Sequence, residues 1–367
     1  MSSFYIYDTN RDRIGLLQHD NSVQWLEHYQ ANGEVKIVAQ VTPDNLALLV
    51  DGNRIHNPDS GTAARISHVD LDQMETEDII TARADITSEL LDDRVVMATV
   101  NITNVEAAMY ALYSQNRREM PIEVGMAKGF TETDNTQITW GSVLEAEKKL
   151  AVASGLGFRV DFDAETGLET FTVYKGIDRT DDTSDDYVGY FGTDVGGIEK
   201  VTVTSGTTGF KNVAVVAGAG EGANRTVRIV SLGNVTGENR RELYVDARDL
   251  QREYQVAIPT GGYDPQGNPL YNYETRTYTD AQYNAMLDAR GMEKLMEHLK
   301  TFSITCNVTQ NNIVYGVDYG LGDRVPVKLP EYGIYATARF ASANRIYERE
   351  GVRVVAILSE FELEEAA

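Results

Sequence analysis

Gly218-x-Gly220-x-x-Ala223 follows the apolar run Val213 to Ala217. That is the spacing of a dinucleotide-binding turn, where glycines let the backbone approach a pyrophosphate. The chemistry also needs a helix directly afterwards, because the helix N-terminus receives the phosphate charge. Here Arg225-Thr226-Val227-Arg228-Ile229-Val230 follows, β-branched and alternating, so the glycines read as a hairpin turn. Asp161-x-Asp163-x-Glu165 hints at a calcium loop, yet its glycine is Gly167, one place late, and its flanks are strand-like. It too reads as a turn. The acidic run Asp178, Asp181, Asp182, Asp185 and Asp186 could gather a divalent ion, but a solvated loop is the simpler reading.

Nucleophilic chemistry has thin support. The five histidines (His19, His28, His56, His68 and His298) form no HExxH, and no Gly-x-Ser-x-Gly occurs. Cys306, the single cysteine, alternates with apolar residues in an expected strand and reads as core. With 56 Asp and Glu, some close carboxylate pair is inevitable, so a pair says nothing about glycoside cleavage. The expectation is no catalytic residue, no metal ligand and no cofactor; purified chain should cleave neither peptidoglycan nor peptides.

The elements that carry these residues are mostly strands. Val35 to Val41 is β-branched with partial alternation and is broken by Pro43-Asp44; Asp51-Gly52-Asn53 and Pro58 to Gly61 are turns around Arg54-Ile55-His56. Ala64 to Leu71 and Ile79 to Ile86 are further strands around the charged loop Gln73 to Asp78. Two helices follow. Asn104 caps one whose Val105, Ala108, Met109 and Leu112 share a face; Ser142 and Glu145 form a capping box for the other, which Gly155 ends. A hairpin, Phe158 to Phe162 and Leu168 to Tyr174, completes an α/β unit, and the acidic, Gly-rich connection Gly176 to Gly197 closes it. Strands return at Val201 to Thr204, Asn212 to Ala217 and Thr226 to Leu232. Pro259 to Tyr278 reads as loop. A helix covers about Thr279 to His298, with Met292, Leu295, Met296 and Leu299 toward one side and Gly291 as a bend. The last strands are Phe302 to Val308, Ile313 to Tyr315, Arg324 to Leu329, Tyr335 to Ala343 and Val352 to Leu358.

Length and composition bound the class. The 367 residues, 42% hydrophobic with 20 Tyr and 10 Phe, suit two to four compact units and not disorder. One cysteine excludes an intramolecular disulfide framework. No apolar run reaches the ~20 residues a bilayer needs, and MSSFYIYDTN lacks a signal peptide's regions, so synthesis in a reducing cytoplasm is expected, with no membrane-spanning segment. A net charge of −23 argues against wrapping nucleic acid.

One internal echo stands out. Gly52-Asn53-Arg54-Ile55 followed by Ala64-Arg65-Ile66-Ser67 resembles Gly322-Asp323-Arg324-Val325 followed by Ala338-Arg339-Phe340-Ala341. Each Ala-Arg strand leads to a charged turn and an apolar strand. Two similar β-units bracketing a helical middle would leave such a trace.

Four blocks carry a wider resemblance: Asp178-Arg179-Thr180; Phe210 to Gly218; Arg240 to Leu250; and Val317 to Val325. Trp25 and Gly33-Glu34-Val35 fit the same pattern. Together they resemble the tail-hub (tail-tip) proteins of long-tailed bacteriophages, themselves similar to the baseplate hub of contractile-tailed phages. The motif and assembly positions it marks are Gly218, Glu242, Asp246, Asp249, Gly322 and Asp323. Pro326 departs from the pattern, as does the lack of a long C-terminal extension, so the chain resembles the bare hub.

The resemblance implies an α+β, mostly β fold with two small β-barrel hub domains, an α/β middle domain and a helical insertion in the second barrel. Residues 1–100 would be the first barrel, 101–200 the α/β domain, 201–250 with 301–367 the second barrel, and 251–300 the inserted loop and helix. It implies a structural hub of the virion tail tip or baseplate, a homotrimer closing or extending the tail tube and guiding DNA. Its neighbours would be the distal tail (tube-end) protein, the tape-measure protein and tail fibres or receptor-binding proteins, with no sequence-specific nucleic acid. Two rival readings belong to other classes: a carbohydrate-binding receptor protein using exposed Tyr and Trp, and a cell-wall hydrolase of the tail tip.

Overall fold

Alternation sets the faces of the first strands. Val23 and Trp25 in Asp20–His28, and Val35, Ile37 and Ala39 in Glu34–Gln40, turn into a core with Ile55, Ile66 and Ala82. The computed structural model describes residues 3–73, 78–97, 100–134, 137–138, 140–263, 269–310 and 313–363, so the charged loop expected at 73–78 lies mostly outside the described residues. The chain forms two compact units, Met1–Thr204 with Phe302–Ala367, and Ser205–Thr301.

In the first unit a 13-stranded sheet runs, neighbour by neighbour, Ile198–Gly206, Thr301–Val308, Gly351–Leu363, Ile334–Glu348, Asp20–His28, Glu34–Gln40, Ile79–Ile86, Thr62–Asp72, Arg54–Asn57, Tyr5–Tyr7 and Arg13–Leu16. Arg324–Leu329 also pairs with Ile334–Glu348, and Phe191–Gly192 pairs with Arg324–Leu329. Among the described residues no sheet closes into a barrel. The two β-units expected as separate barrels are two halves of one sheet, because Ile334–Glu348 is long enough to serve both. Its first residues pair with Arg324–Leu329, while Ser342 to Glu348 pair antiparallel with Ser22 to His28. The fold is mostly β, with helices confined to short segments between strands.

Pro43 does not simply end a strand. Thr42 caps α1 (Pro43–Leu48), accepting from the Asn45 N–H, and Pro43 takes the first helical position, where its missing N–H costs nothing. Asn104 caps α2 (Val105–Asn116) as its sequence predicts; Ser142 caps α3 (Val143–Ser154) by accepting from the Glu145 N–H, one half of the expected box, and Gly155 ends α3 at φ +72°. Both helices share a core with the sheet Ile122–Val124, Gly157–Phe162 and Glu169–Tyr174, around Tyr113, Phe158 and Phe171. The second β-unit has its own core of Phe191, Ile304, Cys306, Val325, Phe340 and Leu358. Pro326 sits within its strand opposite Thr337. Ile313 to Tyr315 forms no strand: a single bridge joins Tyr315 to Tyr319, and Gly316 turns the chain at φ +87°.

The second unit has its own sheet, Val227–Ser231, Val213–Ala217 and Glu242–Asp246, with α4 (Asp280–Met296) against it. Only Ile198–Gly206, out of the expected 201–250 segment, joins the large sheet. The expected face of α4 is rotated. Tyr283, Leu287, Gly291 and Leu295 are buried, an i, i+4 stripe, whereas Met292, Met296 and Leu299 are exposed. Gly291 is a contact and not a bend: a Cβ there would lie 2.7 Å from Val216 Cγ2 and 2.8 Å from Val230 Cγ2. Pro259 to Tyr278, expected as loop, contains most of a hairpin of Glu253–Tyr263 and Pro269–Thr277. Its exposed side chains bring little core with them, so composition understated the backbone pairing. Among the described residues no helix is long and apolar enough to cross a membrane.

Candidate functional site

The two echoed segments fold into the same device. Gly52 and Gly322 turn the chain at φ +86° and +89°, a region that favours glycine. The Gly52 N–H donates to Ile66 O (2.9 Å) and the Ile66 N–H to Asn53 O (2.8 Å); the Gly322 N–H donates to Phe340 O (2.9 Å) and the Phe340 N–H to Asp323 O (2.8 Å). Arg54 then pairs with Arg65 and Ile55 with Ala64, as Arg324 pairs with Arg339 and Val325 with Ala338. Both strands bulge one residue later. Ile66 faces Ala84 and His68 faces Arg83, leaving Ser67 extra; Phe340 faces Leu358 and Ser342 faces Ile357, leaving Ala341 extra. Beyond the next strand the match continues: Val35, Ile37 and Ala39 meet Ala84, Ala82 and Ile80, as Ile304, Cys306 and Val308 meet Leu358, Ala356 and Val354. This is one unit built twice.

At the second turn, two family blocks meet. The Asp323 carboxylate is buried and accepts from the Ile177 N–H (2.8 Å), the Gly320 N–H (3.0 Å) and Arg179 Nε (2.6 Å). The Arg324 N–H donates to Ile177 O and the Arg179 N–H to Arg324 O, both at 2.9 Å. Asp178-Arg179-Thr180 is thus clamped to Leu321-Gly322-Asp323. Tyr29 packs beneath: a Cβ at Gly322 would lie 2.2 Å from its Cε2, and one at Gly176 would lie 2.0 Å from Gly322. The Tyr29 hydroxyl donates to Gly155 O (2.9 Å) and accepts from the Gly176 N–H (3.1 Å), joining the end of α3 to the connection. Gly157 faces the same ring, since a Cβ there would lie 2.3 Å from Tyr29 Cε2, so Gly157 and Gly322 serve one tyrosine. Sequence reasoning missed Tyr29, although Gly322, in the Val317 to Val325 block, was an available signal.

Beside the turn, a cavity of about 370 Å³ is lined by Glu27, Thr62, Arg159, Tyr174, Arg179 and Arg345, among others. Glu27 accepts from Thr62 Oγ1 (3.3 Å) and from Arg345 Nη1 (3.2 Å), and Arg345 lies over the Tyr315 ring. Burial holds the Glu27 carboxyl above the usual carboxylate range, against the pull of Arg345. The Tyr347 hydroxyl is shared with Asn57 and Asp59. These groups satisfy one another across the junction of the two β-units, which is a structural task. A further buried pair joins the first β-unit to the α/β layer: Arg54 Nε donates to Glu169 Oε1 at 2.9 Å, with Arg11 at 3.7 Å from the same carboxylate.

Gly218, Glu242, Asp246 and Asp249 all lie in the second unit. The blocks 210–218 and 240–250 come together there, because Val213–Ala217 and Glu242–Asp246 pair in parallel. A Cβ at Gly218 would lie 2.6 Å from the Tyr283 hydroxyl, which donates to Leu250 O and accepts from the Ala219 N–H. Asp246 binds Arg225 (2.8 Å) and Arg248 (2.9 Å), and these hydrogen bonds lower its carboxyl to about 2. Asp249 takes both ends of the Arg290 guanidinium, and Glu242 pairs with Arg240. The glycines at 218 and 220 lead through a short turn into Val227–Ser231, a hairpin, with Arg225 donating to Ala217 O and Gly218 O. Asp163 caps the turn between Gly157–Phe162 and Glu169–Tyr174, accepting from the Glu165 and Thr166 N–H groups. Burial pushes the Cys306 thiol up to about 12, so it is a poor nucleophile.

The profile of the Siphovirus ReqiPepy6 Gp37-like protein family matches residues 3–358. No curated protein matches the chain. Solved structures share its fold, three of them over nearly the whole of both chains. A tail protein from Neisseria meningitidis MC58 is 14% identical over 99% of this chain and 97% of that one, with TM-score 0.57. The 43 kDa tail protein of prophage MuSo2 from Shewanella oneidensis is 10% identical over 97% and 98%, at 0.58. Prophage tail protein gp18 from Listeria monocytogenes EGD-e is 10% identical over 98% and 94%, at 0.50.

Proposed function

The chain belongs to the Siphovirus ReqiPepy6 Gp37-like protein family, and on that premise we propose that it is the structural hub of a phage tail tip or baseplate. Three copies form a ring that closes or extends the tail tube and guides DNA. The observation that carries this reading is the doubled turn-and-bulge unit, since a chain with two quasi-equivalent β-units lets three copies present six similar surfaces to a six-fold tube. Residues 1–100 supply one hub domain; 301–367, with Ile198–Gly206, supply the other. The α/β layer of 101–200 braces them, and 205–301 is an appended unit. Adjoining components are a distal tail protein, a tape-measure protein and fibres or receptor-binding proteins. The role is non-enzymatic, and the site residues, Gly218, Glu242, Asp246, Asp249, Gly322 and Asp323, act in folding and assembly. With a net charge of −23, a lumen lined by carboxylates would repel DNA phosphates and let the genome pass without sticking. Native mass measurement and negative-stain imaging test the ring: three-fold particles support it, and a chain that stays monomeric within isolated tail tips overturns it. If neutralising lumen acids in an assembled tail left DNA passage unchanged, the electrostatic part would fall alone.

A further inference from the structure

The doubling leaves two strand edges unmatched. In the second β-unit, Ser342 to Glu348 beyond the bulge pair with Ser22 to His28 on the side away from Gly351–Leu363. In the first β-unit the corresponding residues are His68 to Asp72, since Val69 meets Ala82 where Ala343 meets Ala356, and Leu71 meets Ile80 where Arg345 meets Val354. Those residues pair with Ile79–Ile86 on one side and, past Arg65, with no strand among the described residues on the other. Leu71 is 60% exposed, whereas its counterpart Arg345 is 6% exposed beneath the docked strand. The strand that docks in the second unit, Asp20–His28, lies next to Glu34–Gln40. Its counterpart is Ile198–Gly206, which lies next to Thr301–Val308 and ends the sheet. One edge lacks its neighbour, and one strand lacks its edge.

We infer that the open edge at His68 to Asp72 of one copy receives Ile198–Gly206 of the next copy, repeating between chains the junction that Ser342 to Glu348 and Ser22 to His28 make within one. The inference rests on the proposed ring and specifies its interface. The occupant is a second copy because the missing strand is present in the same chain and, among the described residues, is unpaired on one side. The two edges differ, so the contact is head-to-tail and propagates into a ring. Inside each chain Trp25 pairs with Arg345 and Val23 with Tyr347, so the inward face is 343, 345 and 347. Between chains Leu71 would join that face beside the half-buried Val201 and Val203, and Asp70 would lie outward with the exposed Thr202 and Thr204. An exposed leucine on an unpaired edge invites such a contact.

The test uses the full chain, whose single cysteine is buried. Asp70→Cys is combined with Thr202→Cys or with Thr204→Cys, which covers two registers two residues apart. Under mild oxidation one combination should give disulfide-linked species up to a trimer, and an equimolar mixture of the single variants should stop at a dimer, while neither single variant alone cross-links. Leu71→Lys, at a site already in solvent, should keep the thermal unfolding of the monomer and lower the assembled fraction about tenfold. If wild type forms rings but neither combination cross-links, or Leu71→Lys assembles like wild type, the edge assignment is wrong and the ring stands. If wild type forms no ring in solution or in tails, both fall.

Discussion

The turns at Gly52 and Gly322 share backbone geometry to within a few degrees of φ and a few tenths of an ångström, yet their side chains are put to opposite uses. Asn53 is satisfied locally: its amide donates to Leu48 O, at the end of α1 in the same β-unit. Asp323 reaches outward to the 176–179 connection and takes a guanidinium with two backbone N–H groups. Arg54 is buried against Glu169 of the α/β layer, while Arg324 donates to Thr337 of its own hairpin. A copied backbone fixes where side chains point and leaves free what they bind. The first unit holds the α/β layer through the arginine of its turn, and the second holds the connection through the acid of its turn.

Equal substitutions at paired positions should therefore have unequal effects. Gly322→Ala forces a Cβ against Tyr29, whose ring is held at its hydroxyl by two backbone groups, in addition to the positive φ. A loss of about 4 kcal/mol or more is expected in denaturant unfolding. Gly52→Ala has the same φ, but its Cβ meets only Thr9 Cγ2 at 3.1 Å, and about 1–2 kcal/mol is expected. Similar losses at both would mean that backbone strain, and not Tyr29, sets the difference.

Asp323→Ala strands the Ile177 and Gly320 N–H groups and a mostly buried Arg179, at about 3 kcal/mol. Asn53→Ala removes one amide donor at about 1 kcal/mol. Limited proteolysis reads the same contrast: Asp323→Ala should expose the 176–190 connection to cleavage, and Asn53→Ala should not. For the arginines the order reverses. Arg54→Met leaves Glu169, with no exposed surface, only the longer contact to Arg11, and about 2–3 kcal/mol is expected, against about 1 kcal/mol or less for Arg324→Met.

Local rules carried the sequence reading far. The caps at Asn104 and Ser142, the stop at Gly155 and the strands around the echoed turns needed only neighbours within a few residues. The echo itself was visible because the turn demands Gly and the following strand demands Ala and Arg at fixed places. What stayed hidden depended on partners distant in the chain. Nothing near Tyr29 announces that Gly157 and Gly322 must both lack a side chain. The face of α4 could not be chosen, because Met292 and Met296 are as apolar as Leu287, and only Val216 and Val230 against Gly291 decide it. The appended sheet was assigned to the second barrel because Val213 to Ala217 reads equally well in either. At the candidate site, Asp323 and Gly322 were legible, while Glu27 with Arg345, and Glu169 with Arg54, are pairs whose members lie too far apart in sequence to be matched.

A last contrast concerns two buried carboxyls, of which Asp323 has donors and Glu147 has none. Glu147, on α3, has no exposed surface, and neither oxygen has a hydrogen-bond partner among the described residues. Burial alone raises its carboxyl well above the ordinary value of 4.5. The sign follows from proton counting. Between the unfolded value and the raised folded one, the native state keeps a proton that the unfolded state has released. This contribution is thus fully present below about pH 4.5 and is lost as pH rises toward the folded value, at a limiting slope of about 1.4 kcal/mol per pH unit. Glu147→Gln keeps the shape of the protonated acid and cannot ionise. It should match wild type near pH 5 and be the more stable at pH 8, the gap widening as pH rises toward the folded value. Urea midpoints across that range check it. Equal midpoints at pH 8 would mean that Glu147 finds a counter-charge when it ionises, and would remove the contrast with Asp323.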